Sequence, residues 1–250
     1  MPGNFKTEAI VLRSIRFGEA DRILHLYTSE RGRVNAIAKG SRRPRSRFGG
    51  RLEPFFRVDL VLHQGRGELA TVTGASTVDG YPGLRASGPA IGAAARACDA
   101  VLRLFDSVEP NRAAYNLLSR YLGMLDADGL GRRRGLDEGA VPAASRTASL
   151  AFRLKLALAA GFVPELAACA RCGESESIAA FSGSAGGIVC AACEGGGFPL
   201  SPAAHEFMVA ALASPLAELP HADVAALRQV ERAIGDVLSH HAHVQLRAAA

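Results

Sequence analysis

The sequence has no uncharged apolar run near the roughly 20 residues that a membrane-spanning helix requires, so no transmembrane segment is expected. Its first twenty residues interleave apolar groups with Lys6, Glu8, Arg13, Arg16 and Glu19, a pattern unlike a secretory leader. Cysteine is scarce: of five, four fall in two CxxC pairs, which argues against a disulfide scaffold and for metal ligation in a reducing compartment. A soluble cytoplasmic protein is the expectation. There is no P-loop. Gly65-x-Gly67-x-x-Ala70 echoes a dinucleotide fingerprint but leads into a strand-like segment, where no helix N-terminus would meet a pyrophosphate. No nucleophile–histidine motif stands out, and the adjacent Asp137 and Glu138 sit in an expected loop without a pocket. No bond-making active site, and hence no enzyme, is expected.

Acidic residues are missing from one stretch in particular. Arg31 to Leu52 carries eight basic residues (Arg31, Arg33, Lys39, Arg42, Arg43, Arg45, Arg47 and Arg51) and no carboxylate. Cations this close repel one another and need full hydration or an anionic partner of comparable charge spacing; a phosphate backbone supplies one and releases counterions on neutralisation. Gly40, Ser41, Pro44, Ser46, Gly49 and Gly50 make the run a loop or ribbon rather than a helix face. Net charge is +5, yet residues 1–80 carry +6 and residues 81–250 carry −1, as a nucleic-acid module joined to a neutral domain would. Phe48, Phe55 and Phe56 are candidate stacking groups beside the run, with core packing the competing fate for the last two.

Five short β-rich runs precede residue 80: Glu8–Arg13, Ile23–Thr28, Arg33–Lys39, Phe56–His63 and Leu69–Thr73. In the third, Val34, Ala36 and Ala38 alternate with Arg33, Asn35, Ile37 and Lys39. Five strands in so short a segment predict a small closed barrel, a five-stranded OB-fold first and an SH3-like barrel as the alternative. The basic run would be the connection after strand three.

Beyond Asp79-Gly80-Tyr81-Pro82-Gly83 the apolar period becomes helical. Ile91 to Phe105 and Ala114 to Leu125 read as two amphipathic helices, and residues 129–139 as a charged loop whose Arg132–Arg134 triplet is either solvated or a second phosphate contact. A largely covered helix is expected over 144–160, ending at Gly161, with another opening at Ser201-Pro202 and a last one over 222–241 with Glu231 outside its apolar face. His240, His241 and His243 close it, read as dipole partners or exposed groups. The division expected is 1–80 for the barrel and 81–250 for a mostly helical domain.

Cys169-x-x-Cys172-Gly173 and Cys190-x-x-Cys193, seventeen residues apart, have the spacing of four-thiolate zinc sites. A zinc-ribbon insertion at about 165–198 holding one structural Zn²⁺ follows, because four thiolates leave no open coordination position. A redox dithiol is the alternative. Cys98, on a helix's apolar face, reads as a small buried hydrophobe.

The string TEAIVLRSIRFGEADRILHLYTSERGRVNAIAKGSRR with SRFGGRLEPF, and the later FRLKLALAAGFVPELAACARCG, resemble the bacterial recombination and repair mediator family RecO over most of the chain. The resemblance implies an N-terminal OB-fold, a helical C-terminal domain and a four-cysteine zinc site. It also implies binding to single- and double-stranded DNA, annealing of complementary strands, and contact with RecR and with the acidic tail of single-stranded-DNA-binding protein. RecA loading, DNA repair and nucleoid association during repair go with it. In the family, basic residues after the third barrel strand contact DNA; by motif these are Lys39, Arg42 and Arg43. Together with the charge run, the DNA-contact set expected is Arg33, Lys39, Arg42, Arg43, Arg45, Arg47 and Arg51. A protein-interaction scaffold whose basic loop binds acidic protein tails, and a thiol-based enzyme, are the competing readings.

Overall fold

The structure is a computed structural model that describes residues 3–134 and 142–249. It divides into two compact units, Met1–Gly135 and Leu136–Ala250.

In the first unit, β1 (Gly3–Phe17) is long enough to serve two neighbours. Its first half pairs with β4 (Arg57–Gln64) and its second half with β2 (Asp21–Thr28), and an irregularity in register between Val11 and Arg13 lets it turn the corner. β3 (Gly32–Ala38) pairs antiparallel with β2 and, through Ala36 and Ile37, parallel with β5 (Ala70–Asp79), which returns to β4. The order β1-β2-β3-β5-β4 closes into a barrel. That is the OB-fold topology expected from the sequence. Alternation sends Leu24, Leu26, Ala36, Ala38, Val58, Leu60, Leu62 and Val72 inward, all buried.

Three helices complete this unit: α1 (Pro82–Arg85), α2 (Gly88–Leu104), with the Ser87 side chain accepting from the Ala90 N–H, and α3 (Arg112–Arg134). The expected loop over 129–139 is corrected at its start, because α3 runs on through Arg134. Gly129, a helix breaker by propensity, is here a packing residue: a Cβ on it would stand 2.2 Å from the Gly83 carbonyl oxygen of α1. Asp126, one turn earlier, accepts the Gly83 and Leu84 N–H groups at 2.6 and 3.1 Å and so caps α1. The rest of that expected loop, with Asp137 and Glu138, lies outside the described residues.

Helices and barrel meet through a polar cluster. The Tyr115 hydroxyl donates to Glu8 Oε1 at 2.6 Å, and Arg57 stands 3.4 Å from the same oxygen. Burial first, then the bond to Glu8, pushes the Tyr115 phenol up, so it remains the donor.

The second unit is built on α4 (Arg146–Ala159), capped by Ser145 and buried on most sides through Leu150, Phe152, Leu154 and Leu156, the covered helix expected from the sequence. It ends at Gly161 with φ +81°. α5 (Pro202–Ala213), capped by Ser201, and α6 (Val224–His241), capped by Asp223, pack on it and on each other. Between α4 and α5 lies a small sheet ordered β7-β6-β8, from β6 (Ile178–Ser182), β7 (Gly187–Cys190) and β8 (Phe198–Pro199). His241 reaches the Gly183 carbonyl at 2.9 Å, tying the end of α6 to the hairpin of that sheet. Among the described residues, no helix is long and apolar enough to cross a membrane.

Candidate nucleic-acid interface and metal centre

The basic run after β3 is a chain of tight turns. N–H groups of Ser41, Arg43, Ser46, Gly49 and Arg51 each bond the carbonyl three residues back, from Ala38, Gly40, Arg43, Ser46 and Phe48. Two apolar residues pin these turns to the barrel, since Phe48 and Leu52 are 1% and 3% exposed and belong to the barrel core. The run is therefore an anchored ribbon, and Phe48 is corrected from stacking candidate to core residue. Phe56 packs against the same core with the Arg85 guanidinium 4.0 Å above its ring. Phe55 is half-buried with φ +75°.

The anchoring sorts the cations. Lys39, Arg42, Arg43 and Arg45 are exposed, and among the described residues no carboxylate pairs with them. Asp21, at the start of β2, accepts the Gly40 N–H at 2.8 Å. Arg42 lies against the turn after β1: its N–H bonds the Ala20 carbonyl at 2.8 Å and its Nη1 the Gly18 carbonyl at 3.2 Å. Arg47 folds back over the Phe48 ring at 4.9 Å, and Arg51 reaches the Arg47 and Phe48 carbonyls. Both are exposed but partly spent on holding the ribbon's shape. Arg33 lies apart from the ribbon. Its Nη1 reaches the Leu102 carbonyl near the end of α2 at 3.4 Å and its N–H bonds Ser107.

Sequence reasoning missed two apolar residues on the outer side of β1. Ile15 and Phe17 are 38% and 50% exposed. The alternation Arg13, Ile15, Phe17, continued through the strand's end, was the signal available for them.

The four cysteines come together in the second unit. Their sulfur atoms all lie within 4.8 Å of one another, with Cys172 and Cys190 at 3.7 Å. Tetrahedral zinc with Zn–S bonds of about 2.3 Å sets sulfurs about 3.8 Å apart, so the donors fit that ion in kind and in spacing. The first knuckle is closed by the Gly173 N–H on the Cys169 carbonyl at 2.8 Å, with Gly173 at φ +80°. The second is a 3₁₀ turn, Ala191–Cys193, following β7. Arg171, inside the first CxxC, donates to the Cys193 and Gly195 carbonyls at 3.0 and 2.9 Å and clasps one knuckle to the other. The sequence had not singled it out.

Backbone N–H groups, that of Cys190 first, bring the Cys169 thiol down to about 6. The Cys172 and Cys190 sulfurs facing Cys193 push its thiol up to about 12. Crowded sulfurs thus oppose ionisation at Cys193, and a cation among the donors would relieve that opposition. Cys98 is fully buried on α2, and burial pushes its thiol up, as suits a packing residue.

Two family profiles match the chain. The one described as "Recombination protein O N terminal" matches residues 1–81 and "Recombination protein O C terminal" residues 85–249. The chain is 38% identical over 243 residues to the DNA repair protein RecO of Rubrobacter xylanophilus, spanning 95% of this chain and 90% of that relative. It is 37% identical over 195 residues to the DNA repair protein RecO of Anaeromyxobacter dehalogenans, spanning 76% of this chain and 71% of the relative. With the protein of the same name from Thermobifida fusca it shares 38% identity over 209 residues, 83% of this chain and 81% of the relative.

Proposed function

This chain belongs to the recombination protein O family, and on that premise we propose that it acts in DNA repair as a non-enzymatic mediator that binds DNA and anneals complementary strands. The observation that carries this reading is the anchored ribbon, with Lys39, Arg42, Arg43 and Arg45 exposed and, among the described residues, without carboxylate partners. A cationic edge held in shape by Phe48 and Leu52 can neutralise phosphates of one strand and lower the repulsion felt by a second. Annealing makes and breaks no covalent bond, so the reading assigns no catalytic residue. Arg47 and Arg51 complete the field from behind the edge, and Arg33 contributes from the outer face of β3.

In the same reading residues 1–80 form the nucleic-acid-binding OB-fold domain and residues 81–250 the helical domain with the zinc-binding insertion at about 165–198. The partners are single- and double-stranded DNA, RecR and the acidic tail of single-stranded-DNA-binding protein, leading to RecA loading onto single-stranded DNA in the cytoplasm. Cys169, Cys172, Cys190 and Cys193 hold one structural Zn²⁺, which would supply the positive charge that lets four thiolates coexist and would fix both knuckles.

Two complementary oligonucleotides mixed with the protein, without nucleotide, are expected to anneal at least about tenfold faster than alone at low salt, an advantage that fades as salt rises. Unaltered annealing with DNA binding intact would leave a scaffold whose work depends on its partners.

A further inference from the structure

Where the ribbon gathers cations, the outer face of β1, β4 and β5 gathers acids. Strand register sets Glu8 opposite Asp59 and Asp59 opposite Ser76 in one row, with Lys6, Val61 and Gly74 in the next. Leu60 and Ala75 lie on the alternate parity and belong to the barrel core, so both rows point outward. The rows floor a groove of about 590 Å³, and Glu30, from the turn between β2 and β3, joins its rim. Gly74 keeps the floor low, since a Cβ on it would stand 3.3 Å from Val61 Cγ2. Like charges set opposite one another in a sheet repel. Glu8 is compensated by Arg57 and by the Tyr115 hydroxyl, both on its Oε1. Asp59 and Glu30 are exposed, and among the described residues no cation pairs with either.

An apolar floor beside a row of carboxylates suits a long cationic side chain, whose methylene stem covers Val61 and Gly74 while its head meets the acids. A metal ion fits less well, because among the described residues only the four cysteines converge closely enough to hold one. The chain itself carries ligands of the right kind in Lys39, Arg42, Arg43 and Arg45, exposed together on the ribbon. They cannot reach the groove of their own barrel. Glu30 precedes β3 and the ribbon follows it, about 20 Å further on at 3.3 Å per residue. Phe48 and Leu52 in the barrel core, and the Arg42 bond to Gly18, hold the ribbon at that end. A second copy of the chain can supply what the first cannot.

We propose that the β1–β4–β5 groove, with Asp59 and Glu30 as its acids, receives the basic ribbon of a second copy of this chain. Groove and ribbon are different surfaces, so the contact is heterologous: a pair keeps one unused groove and one unused ribbon, and further copies can add to either. The same cations serve DNA or the groove, not both at once. Self-association therefore holds ribbons in reserve and DNA releases them, a consequence that rests on the DNA-binding reading above, whereas the contact between copies does not.

The test is sedimentation velocity of the full chain. At about 50 mM salt, species larger than the monomer should grow with protein concentration, and at about 500 mM, where exposed charges are screened, they should collapse to monomer. Asp59→Lys, and separately Glu30→Lys in the exposed turn, should each weaken association more than about tenfold by setting cation against cation. Arg42→Ala with Arg43→Ala should weaken it from the ribbon side. Mixing that double variant with Asp59→Lys joins one intact groove to one intact ribbon, and a dimer with nothing larger is expected. A short oligothymidine of about eight nucleotides, enough for one barrel, should return the unaltered protein to monomer. Unaltered protein that is monomeric at low salt, acid variants that associate as it does, or a mixture that stays monomeric or grows past the dimer would each overturn the contact. Assemblies that bind oligothymidine without dissociating would overturn the ribbon as its occupant. Association as described in a protein that binds no DNA would remove the DNA-binding reading and uphold the contact between copies.

Discussion

Cys172→Ser, or treatment of the protein with a chelator, is expected to lower the stability of the second unit by roughly 3 kcal/mol or more, a fall of about 6–12 °C in Tm. The magnitude follows from what holds the knuckles without a cation. The two CxxC turns would then be joined by the Arg171 bonds to Cys193 and Gly195 and by a small cluster of Ala180, Val189 and their neighbours. Thermal unfolding of the purified protein with and without chelator, alongside the variant, checks this; identical transitions in all three samples would show that the cysteine site contributes nothing to stability. DNA binding by the barrel should survive the loss of metal, since the exposed cations are in the other unit.

Glu231→Ala is expected to destabilise the protein by about 3–5 kcal/mol, read from the urea midpoint at constant slope. Arg153 on α4 has a side chain only 5% exposed and stands 3.4 Å from Glu231 Oε1 on α6. The same carboxylate pairs with Arg146 and accepts the Ala249 N–H, while Arg153 donates to the Arg247 carbonyl. One acid therefore compensates a buried guanidinium and fastens the last residues of the chain to two helices. Removing it leaves Arg153 buried without that charge, which costs far more than an exposed pair would. A loss under about 1 kcal/mol would mean that water or the tail carbonyl alone satisfies Arg153.

The differing legibility of these features has physical causes. The barrel was readable because five short β-rich runs, alternating most clearly in β3, are separated by turn residues, and the order of five strands is what an OB-fold requires. The cysteines were readable because ligand spacing is a local property. Glu231 was assigned to the outside of α6 from its helical position, correctly as regards the apolar face, but periodicity carries no record of a buried arginine on another helix. Gly129 was placed at the start of a charged loop; its reason for being there is the Gly83 carbonyl oxygen 2.2 Å from where a Cβ would stand, a tertiary contact. In the ribbon the charge was legible and the anchoring was not. Phe48 looked available to bases, and nothing in its neighbours says that it fills the barrel.

The central claim is that phosphates are met by the exposed cations of the ribbon, and the most direct measurement is affinity for a short single strand across a salt series. Four phosphate contacts, one each for Lys39, Arg42, Arg43 and Arg45, give a log–log slope of about −2.8, or roughly a 50-fold loss between 50 and 200 mM salt. Arg42→Ala with Arg43→Ala should bring the slope to about −1.4 with the thermal transition unchanged. A flat salt response in the unaltered protein, or an unaltered slope in the double variant, would contradict the account and place the DNA elsewhere.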